Sequence, residues 1–333
     1  MTVLRIFRKF NARYFSLERV FAHLAAFQFS GGKIQNFSVP QDGAGLLDVI
    51  KNISAVLKLD AAVYHITGAV HYLAIFLPRS KTILTIHDCV FLESNKGLKR
   101  FFLKKLFLDW PVKRAGIITT ISEKSKQEII QHTGCLAEKI HVIPNPVDPL
   151  IYSEDKPFNN IAPRYLFIGA TPLKNLARVL IALKGLPGSL RLVGRFSDTQ
   201  KELIHNSGIP SSIVSNLTDA EIAAEYAACD VVLFPSLYEG FGLPIIEAQK
   251  AGRVILTSEL SPMKEVAGSG AMLVNPYDVE SIRNGILKVV EDPISRDLLI
   301  QKGFDNVKSY SPEVIAEKYN QLYTKLLAKK GSN

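Results

Sequence analysis

Short apolar runs rich in β-branched residues recur along this chain, and each is followed by a longer stretch whose apolar residues repeat every three or four positions. That alternation constrains the fold more than any other feature. Strands separated by helices can share one sheet only in parallel, with the helices covering its faces. Residues 3–7, 62–66, 82–86 and 116–121 read as strands in the first half, and 165–169, 190–194 and 231–234 in the second. The continuous apolar run Val231-Val-Leu-Phe234 marks a strand buried on both faces. Helices are expected from Ser16, from Ser122, over 176–183 and over 219–228. A last helix opens at Ser311-Pro312 and places Ile315, Tyr319, Leu322 and Leu326 on one face.

Between the two series, residues 152–163 are polar and proline-containing, and the apolar periodicity lapses. The expected organisation is therefore α/β: one domain over 1–150, a second over 151–310, and a final helix with its tail over 311–333. A length of 333 residues with 47% apolar content is enough to bury two cores. No solenoid repeat is visible, and the Lys-rich segment 328–333 reads as a disordered tail. Cys89, Cys135 and Cys229 are too few and too scattered for a disulfide framework or thiolate metal site, which points to a reducing, cytoplasmic setting. Arg5 and Arg8 interrupt the first apolar run, and no stretch of about 18 apolar residues follows, so neither a cleavable signal nor a membrane span is expected.

The densest chemistry lies in Phe234-Pro-Ser-Leu-Tyr-Glu-Gly-Phe-Gly-Leu-Pro-Ile-Ile-Glu-Ala-Gln-Lys-Ala-Gly252. A buried strand empties into a loop carrying Glu239, Gly240, Phe241 and Gly242, and Leu243-Pro244 opens a helix whose first turn or so contains Glu247. Both carboxylates then sit at the C-terminal edge of a parallel sheet, where open α/β folds hold ligands. Carboxylates suit vicinal hydroxyls, so the pair can grip two sugar rings. The plainer alternative is a helix-start Glu balancing the dipole beside an incidental loop Glu. Upstream, Gly169-Ala-Thr-Pro-Leu-Lys-Asn175 joins a strand to a helix, offering backbone donors and Lys174 to phosphate oxygens. Arg195, after Val193-Gly194, adds a cation on the same edge. Two cations with two hydroxyl-binding carboxylates match a nucleoside diphosphate sugar better than a bare sugar.

These residues resemble the retaining glycosyltransferases built from two Rossmann-like domains (the GT-B type), in the large family whose two glutamates are separated by seven residues (glycosyltransferase family 4, glycosyl transferases group 1). Glu239 and Glu247 match that pair. Pro235-Ser236, Gly240-Phe-Gly-Leu-Pro244, Gly252, Ile121-Ser122-Glu123, Val142-Ile-Pro-Asn-Pro-Val-Asp148, Gly169 and Lys174-Asn175 match its surroundings, so the likeness spans roughly 82 to 275. The resemblance implies two domains facing across a cleft, with acceptor binding in the first, a UDP-, GDP- or dTDP-sugar in the second, and a final helix crossing back. It implies that Glu239 faces donor sugar hydroxyls, Glu247 the ribose hydroxyls, Lys174 the diphosphate, and His87, after strand 82–86, the donor near its reacting carbon. It also implies retention, with a β-phosphate oxygen taking the acceptor proton. His87 as a purely structural imidazole is the competing reading.

Four departures stand out. The arginine the family places before the phosphate-binding lysine is missing: Ala170, Thr171 and Leu173 stand there, so Arg195 or a first-domain residue has to supply that charge. Arg253 replaces a proline after Gly252, and Asn216 replaces a glycine before a helix. Arg8-Lys-Phe-Asn-Ala-Arg-Tyr-Phe15 replaces a glycine-rich loop, and Arg13 and Ser16 there are candidates to approach donor phosphate or acceptor. No Asp-x-Asp pair occurs, so metal independence is expected and no metal ligand or other cofactor is named. His65, at another strand end, is either structural or part of the acceptor site, and His71 reads as core or surface.

The net charge of +9 favours anionic partners. Residues 96–114 hold seven Lys/Arg and one Asp among Phe101, Phe102, Leu106, Phe107 and Trp110. That pattern suits a peripheral face toward an anionic membrane or a packed helix with solvated lysines; Lys105 falls inside the apolar arc and spoils a clean wheel. The expected acceptor is a sugar or a lipid-linked glycan. Nucleic acid is disfavoured, because no zinc spacing or aromatic platform occurs and the glutamate loop repels a phosphate backbone. A retaining sugar phosphorylase or donor hydrolase is the nearer enzymatic alternative.

Overall fold

The two βα series fold into two six-stranded parallel sheets. The protein is represented by a computed structural model describing residues 1–9, 20–27, 29–43, 45–93 and 96–328. Arg13 and Ser16, and most of the tail over 328–333, lie outside the described residues. The chain divides into one unit of Met1–Pro146 with Pro312–Asn333 and a second of Val147–Ser311.

In the first unit the strands are β1 (Thr2–Phe7), β2 (Lys33–Ser38), β3 (Val63–Ile66), β4 (Thr82–Thr85), β5 (Ile117–Thr120) and β6 (Ile140–Val142), in spatial order β2-β1-β3-β4-β5-β6. Sequential order reverses between β1 and β3, which opens a crevice beyond their C-terminal ends. Ile6, Ile66, Leu84 and Ile118 are fully buried or nearly so on one face. Val3, Val63 and Ile83 are buried on the other, where the final helix Pro312–Ala328 packs Ile315, Tyr319, Leu322, Tyr323 and Leu326. Each such aliphatic side chain contributes about 1.5–3 kcal/mol by leaving water.

A buried polar chain runs beneath that helix. Arg5 Nε donates to Tyr323 Oη (3.2 Å), Tyr323 Oη bonds His65 Nδ1 (2.7 Å), His65 Nε2 bonds Thr85 Oγ1 (2.8 Å), and Thr85 meets Thr119 (2.6 Å). His65 therefore lies inside β3 with both ring nitrogens engaged, a structural placement. His71 is also in the core, its Nδ1 against the Phe107 carbonyl at 2.8 Å.

In the second unit the strands are β7 (Arg164–Ile168), β8 (Ser189–Val193), β9 (Ser211–Val214), β10 (Val231–Phe234), β11 (Val254–Ser258) and β12 (Met272–Val274), ordered β12-β11-β10-β7-β8-β9. Here the order reverses between β7 and β10. Asp230 anchors the polar entry segment, accepting from Lys156 Nζ (2.6 Å) and the Arg164 amide (2.8 Å). All three cysteines are free thiols.

Candidate active site

The crevice at the β7/β10 reversal collects the sequence-predicted residues of the second unit. Gly169 leaves β7 with φ +101°, and a Cβ there would lie 2.8 Å from Lys174 Cε; glycine lets the lysine stem fold back over the strand end. A single 3₁₀ turn, Pro172–Lys174, ends at Asn175, which is left-handed at φ 69°. The buried Asn175 amide donates to the carbonyls of Pro235 (3.0 Å) and Pro276 (2.7 Å), and Leu237 N–H donates to Leu173 (2.8 Å). Those bonds tie the loops after β7, β10 and β12 into one rim. The helix Leu176–Leu183 follows, and its Arg178 donates to Asn175 Oδ1 at 3.0 Å, a cation beside the rim that sequence reading missed.

Lys174 and Glu239 meet at this rim. Lys174 Nζ is 2.7 Å from Glu239 Oε1 and 4.4 Å from the Phe234 ring centroid, with the two side chains 18% and 17% exposed. An ammonium has three donors, so one carboxylate and a ring face leave capacity for an anion. Phe241 is buried edge-to-face on Tyr310 at 5.8 Å, so its side chain packs the loop down. Gly242 adopts φ 109° at the cap of the helix Leu243–Lys250.

Glu247 is the fifth residue of that helix, and no acidic residue occupies its first turn. Compensation of the helix dipole therefore does not explain it. Its Oε2 accepts from Tyr226 Oη at 2.7 Å. Tyr226 is fully buried, and burial together with the Glu247 charge holds its phenol well above the usual range. It stays a neutral donor that orients the carboxylate. The helix Asp219–Ala228 that carries it starts with a capping box, Thr218 Oγ1 accepting from the Glu221 amide while the Glu221 side chain accepts from Thr218 N–H. An aromatic inside a helical stripe looks like core in sequence, so Tyr226 carried no signal there.

The departures have local structural reasons. Asn216 takes the left-handed conformation at φ 61° that a glycine tolerates, and its Oδ1 accepts from Arg195 Nε (2.9 Å) and Nη2 (2.6 Å). Arg195 is exposed and its guanidinium is held by Asn216, away from the Lys174–Glu239 contact, which it does not share among the described hydrogen bonds and ion pairs. Arg253 N–H donates to the Ala248 carbonyl (2.9 Å) and Gly252 N–H to Gln249 (3.2 Å), the paired bonds of a Schellman helix end; proline at 253 has no N–H to give.

In the first unit, His87 lies just beyond β4. Its Nε2 bonds the Thr67 carbonyl at 2.9 Å, and burial, then Arg8, bring it down to about 4. The imidazole is neutral at pH 7, with Nε2–H as donor and Nδ1 as the free-lone-pair nitrogen. Ser122 caps the helix Glu123–Thr133, and Ser125 Oγ donates to the His87 carbonyl at 3.1 Å. Asp88 accepts from the Val90 amide at 3.0 Å and starts the short helix Val90–Glu93. Among the described residues, no group of three or more His, Cys, Asp or Glu is arranged to hold a metal ion.

Residues 152–305 match the family model Glycosyl transferases group 1, and residues 19–149 match Glycosyltransferase Family 4. The chain is 28% identical over 243 residues to the serotype-specific mannosyltransferase WbdA of Escherichia coli, covering 64% of this chain and 29% of that protein. It is 28% identical over 254 residues to the O-antigen chain mannosyltransferase RfbU of Salmonella typhimurium, covering 72% and 70%. The chain thus spans about three tenths of the length of the first curated relatives it matches. The sucrose-phosphate synthase structure from Thermosynechococcus elongatus superposes with a TM-score of 0.77 at 19% identity, over 98% of this chain and 99% of that one, a likeness of fold. With both halves matched by glycosyltransferase models and both sheets in the expected parallel arrangement, the chain belongs to the GT-B glycosyltransferases of family 4 and group 1.

Proposed function

We propose that this chain transfers a hexose or deoxyhexose from a nucleoside diphosphate sugar to a hydroxyl of a glycan, lipid-linked or small-molecule acceptor, with retention, in the synthesis of cell-surface polysaccharide or glycoconjugate. The observation that carries the reading is the Lys174–Glu239 pair on the β7/β10 crevice, with Glu247 held by Tyr226 on the next helix. Lys174 takes the diphosphate, Glu239 the sugar hydroxyls and Glu247 the ribose. Gly169, Gly240, Phe241, Gly242 and Leu243 shape the loops that hold the donor, and Arg195 supplies the second phosphate cation.

Transfer forms a bond from acceptor oxygen to anomeric carbon and breaks the bond from that carbon to the β-phosphate oxygen. Negative charge grows on the diphosphate, where a preorganised cation stabilises it most. The acceptor proton passes to the departing phosphate, and His87 serves the reacting end of the donor as a neutral group. Attack returns on the face the diphosphate leaves, so no enzyme nucleophile is needed. Catalysis proceeds without a metal; activity abolished by chelation and restored by Mg²⁺ or Mn²⁺ contradicts that.

Relatives named as mannosyltransferases make mannose the first sugar to test. Calorimetric titration with UDP-, GDP-, dTDP- and ADP-sugars is expected to give one binding nucleotide, and linkage analysis of the product a retained anomer. An inverted linkage, or no binding across the panel, sinks the reading. We place the enzyme in the cytoplasm, on the inner face of the membrane through residues 96–114. Exposure of Leu98 (78%), Phe101 (54%) and Phe102 (66%) supports this, and no described helix is long and apolar enough to cross a bilayer. Flotation with anionic but not neutral liposomes is the expected result.

A further inference from the structure

A second cationic feature lies on the opposite edge of the first unit's sheet from His87. Arg79 sits in the turn Arg79–Lys81 that enters β4, Lys113 lies in the last turn of the helix Trp110–Arg114 that leads to β5, and Lys139 closes the turn Ala137–Lys139 that enters β6. All three belong to the N-terminal ends of strands, whereas His87, Thr67 and Ser122 follow C-terminal ends. A four-residue strand is about 13 Å long, so the two edges are separate places.

These residues line an open groove of about 520 Å³ together with Lys104, Lys105 and Trp110. Asp109 is the one carboxylate among its lining residues, and it is already shared: Lys104 Nζ is 2.7 Å from Oδ1 and Lys105 Nζ 2.9 Å from Oδ2. Arg79, Lys113 and Lys139 therefore face the groove with no carboxylate of its lining left to them. Burial is the main cause holding the Lys139 ammonium below its usual value; Cys135 opposes the shift and the charge of Arg79 adds to it. The last-turn carbonyls of Val112 and Lys113 accept from Lys139 Nζ and fix it at the groove wall.

We infer that this groove is an anion site for a phosphate or diphosphate group, distinct from the donor site and independent of the transfer reaction. Its volume is in the range of small-ligand sites, and five cations against one carboxylate select a multiply charged anion over a carboxylate. The phosphate is free in solution or borne on a lipid headgroup.

Trp110 is the only tryptophan in the sequence and lines the groove, so its fluorescence reports on this site; it also lies in the segment 96–114 proposed above to meet an anionic membrane, and the probes are chosen to separate the two. Inorganic pyrophosphate is titrated at constant ionic strength into the full chain and into Lys174→Ala, which removes the proposed donor cation. A saturable Trp110 change, alike in both, is expected. In Arg79→Gln/Lys113→Gln, whose side chains are exposed and so tolerate change, affinity falls at least tenfold. Asp109→Asn raises it about threefold or more. A parallel titration uses phosphatidylcholine vesicles carrying either phosphatidate or phosphatidylserine at the same surface charge, since a general anionic-membrane face responds to both and a phosphate groove to phosphatidate. A response to pyrophosphate identifies a free ligand; a response confined to phosphatidate vesicles and lost in the double variant identifies a lipid-borne one. No saturable response to either probe, or a response unchanged in the double variant, overturns the inference.

Discussion

The two sheets treat their chemistry-bearing residues in opposite ways. In the second unit the site residues stand at the loop rim and on the helix that follows it, only partly buried or exposed, and each charged group has a polar partner: Lys174 with Glu239, Glu247 with Tyr226, Arg195 with Asn216. In the first unit the polar groups on and just after the central strands are sealed in. His65, His71 and His87 are all buried and all held below the usual imidazole value, and Arg5 lies under the final helix at 2% exposure. The difference teaches where each unit is vulnerable: the first through its stability, the second through its binding.

Acid is the largest lever on that contrast. His71 and His87 drop from 6.5 to about 4, chiefly by burial. The folded state then binds fewer protons than the unfolded chain between pH 4 and 6.5, so stability is present above 6.5 and lost as pH falls through that window. The loss amounts to about 3 kcal/mol per histidine. The second unit carries only the exposed His205. Hydrogen exchange at pH 7 and pH 5 is expected to show the first unit opening ahead of the second; equal loss in both breaks the comparison.

Next in size is Lys174→Ala, expected to lower kcat/KM about 10²–10³-fold by removing a preorganised cation from the departing diphosphate. Adding Glu239→Gln in that background costs less than it does alone, because the two side chains are coupled. Strictly additive losses would show that their 2.7 Å contact has no energetic meaning. Tyr226→Phe keeps the ring and deletes the hydrogen bond to Glu247. A bond to a charged group is worth about 1.5–3 kcal/mol, so donor KM is expected to rise tenfold or more with kcat nearly kept. A fall in kcat alone contradicts a ribose-side role. The smallest effect belongs to Asn216→Gly, which preserves the left-handed backbone and releases Arg195; a two- to fivefold rise in donor KM is expected. Unchanged binding removes Arg195 from the donor site.

Legibility in sequence followed burial only in part: β11 (Val254–Ser258) is buried at every position, but its apolar run is cut short by Thr257 and Ser258 and it is not among the strands expected. Central strands such as β10, buried at every position, announce themselves as continuous apolar runs. The edge strands β2 (Lys-Ile-Gln-Asn-Phe-Ser) and β9 (Ser-Ser-Ile-Val) are mostly exposed and carry no such pattern. The basic stretch defeated a helical wheel for a geometric reason. Lys105–Asp109 is a π-helical segment between Gly97–Lys104 and Trp110–Arg114, and a wider turn changes which residues share a face. Lys105 pairs with Asp109 at 2.9 Å, and its ammonium lies 5.7 Å from the Phe101 ring centroid.

Sequence by itself determined the βα series, the parallel sheets, the apolar face of the final helix and the glycine-punctuated glutamate loop, because these are written in neighbouring residues and short periods. Tertiary structure decided the partnerships. Lys174 and Glu239 are 65 residues apart, Tyr226 and Glu247 are 21, and His65 and Tyr323 are 258. No local propensity specifies which distant side chain will satisfy a buried donor or charge. That choice is made only when the strands align and bring their loop ends to one edge.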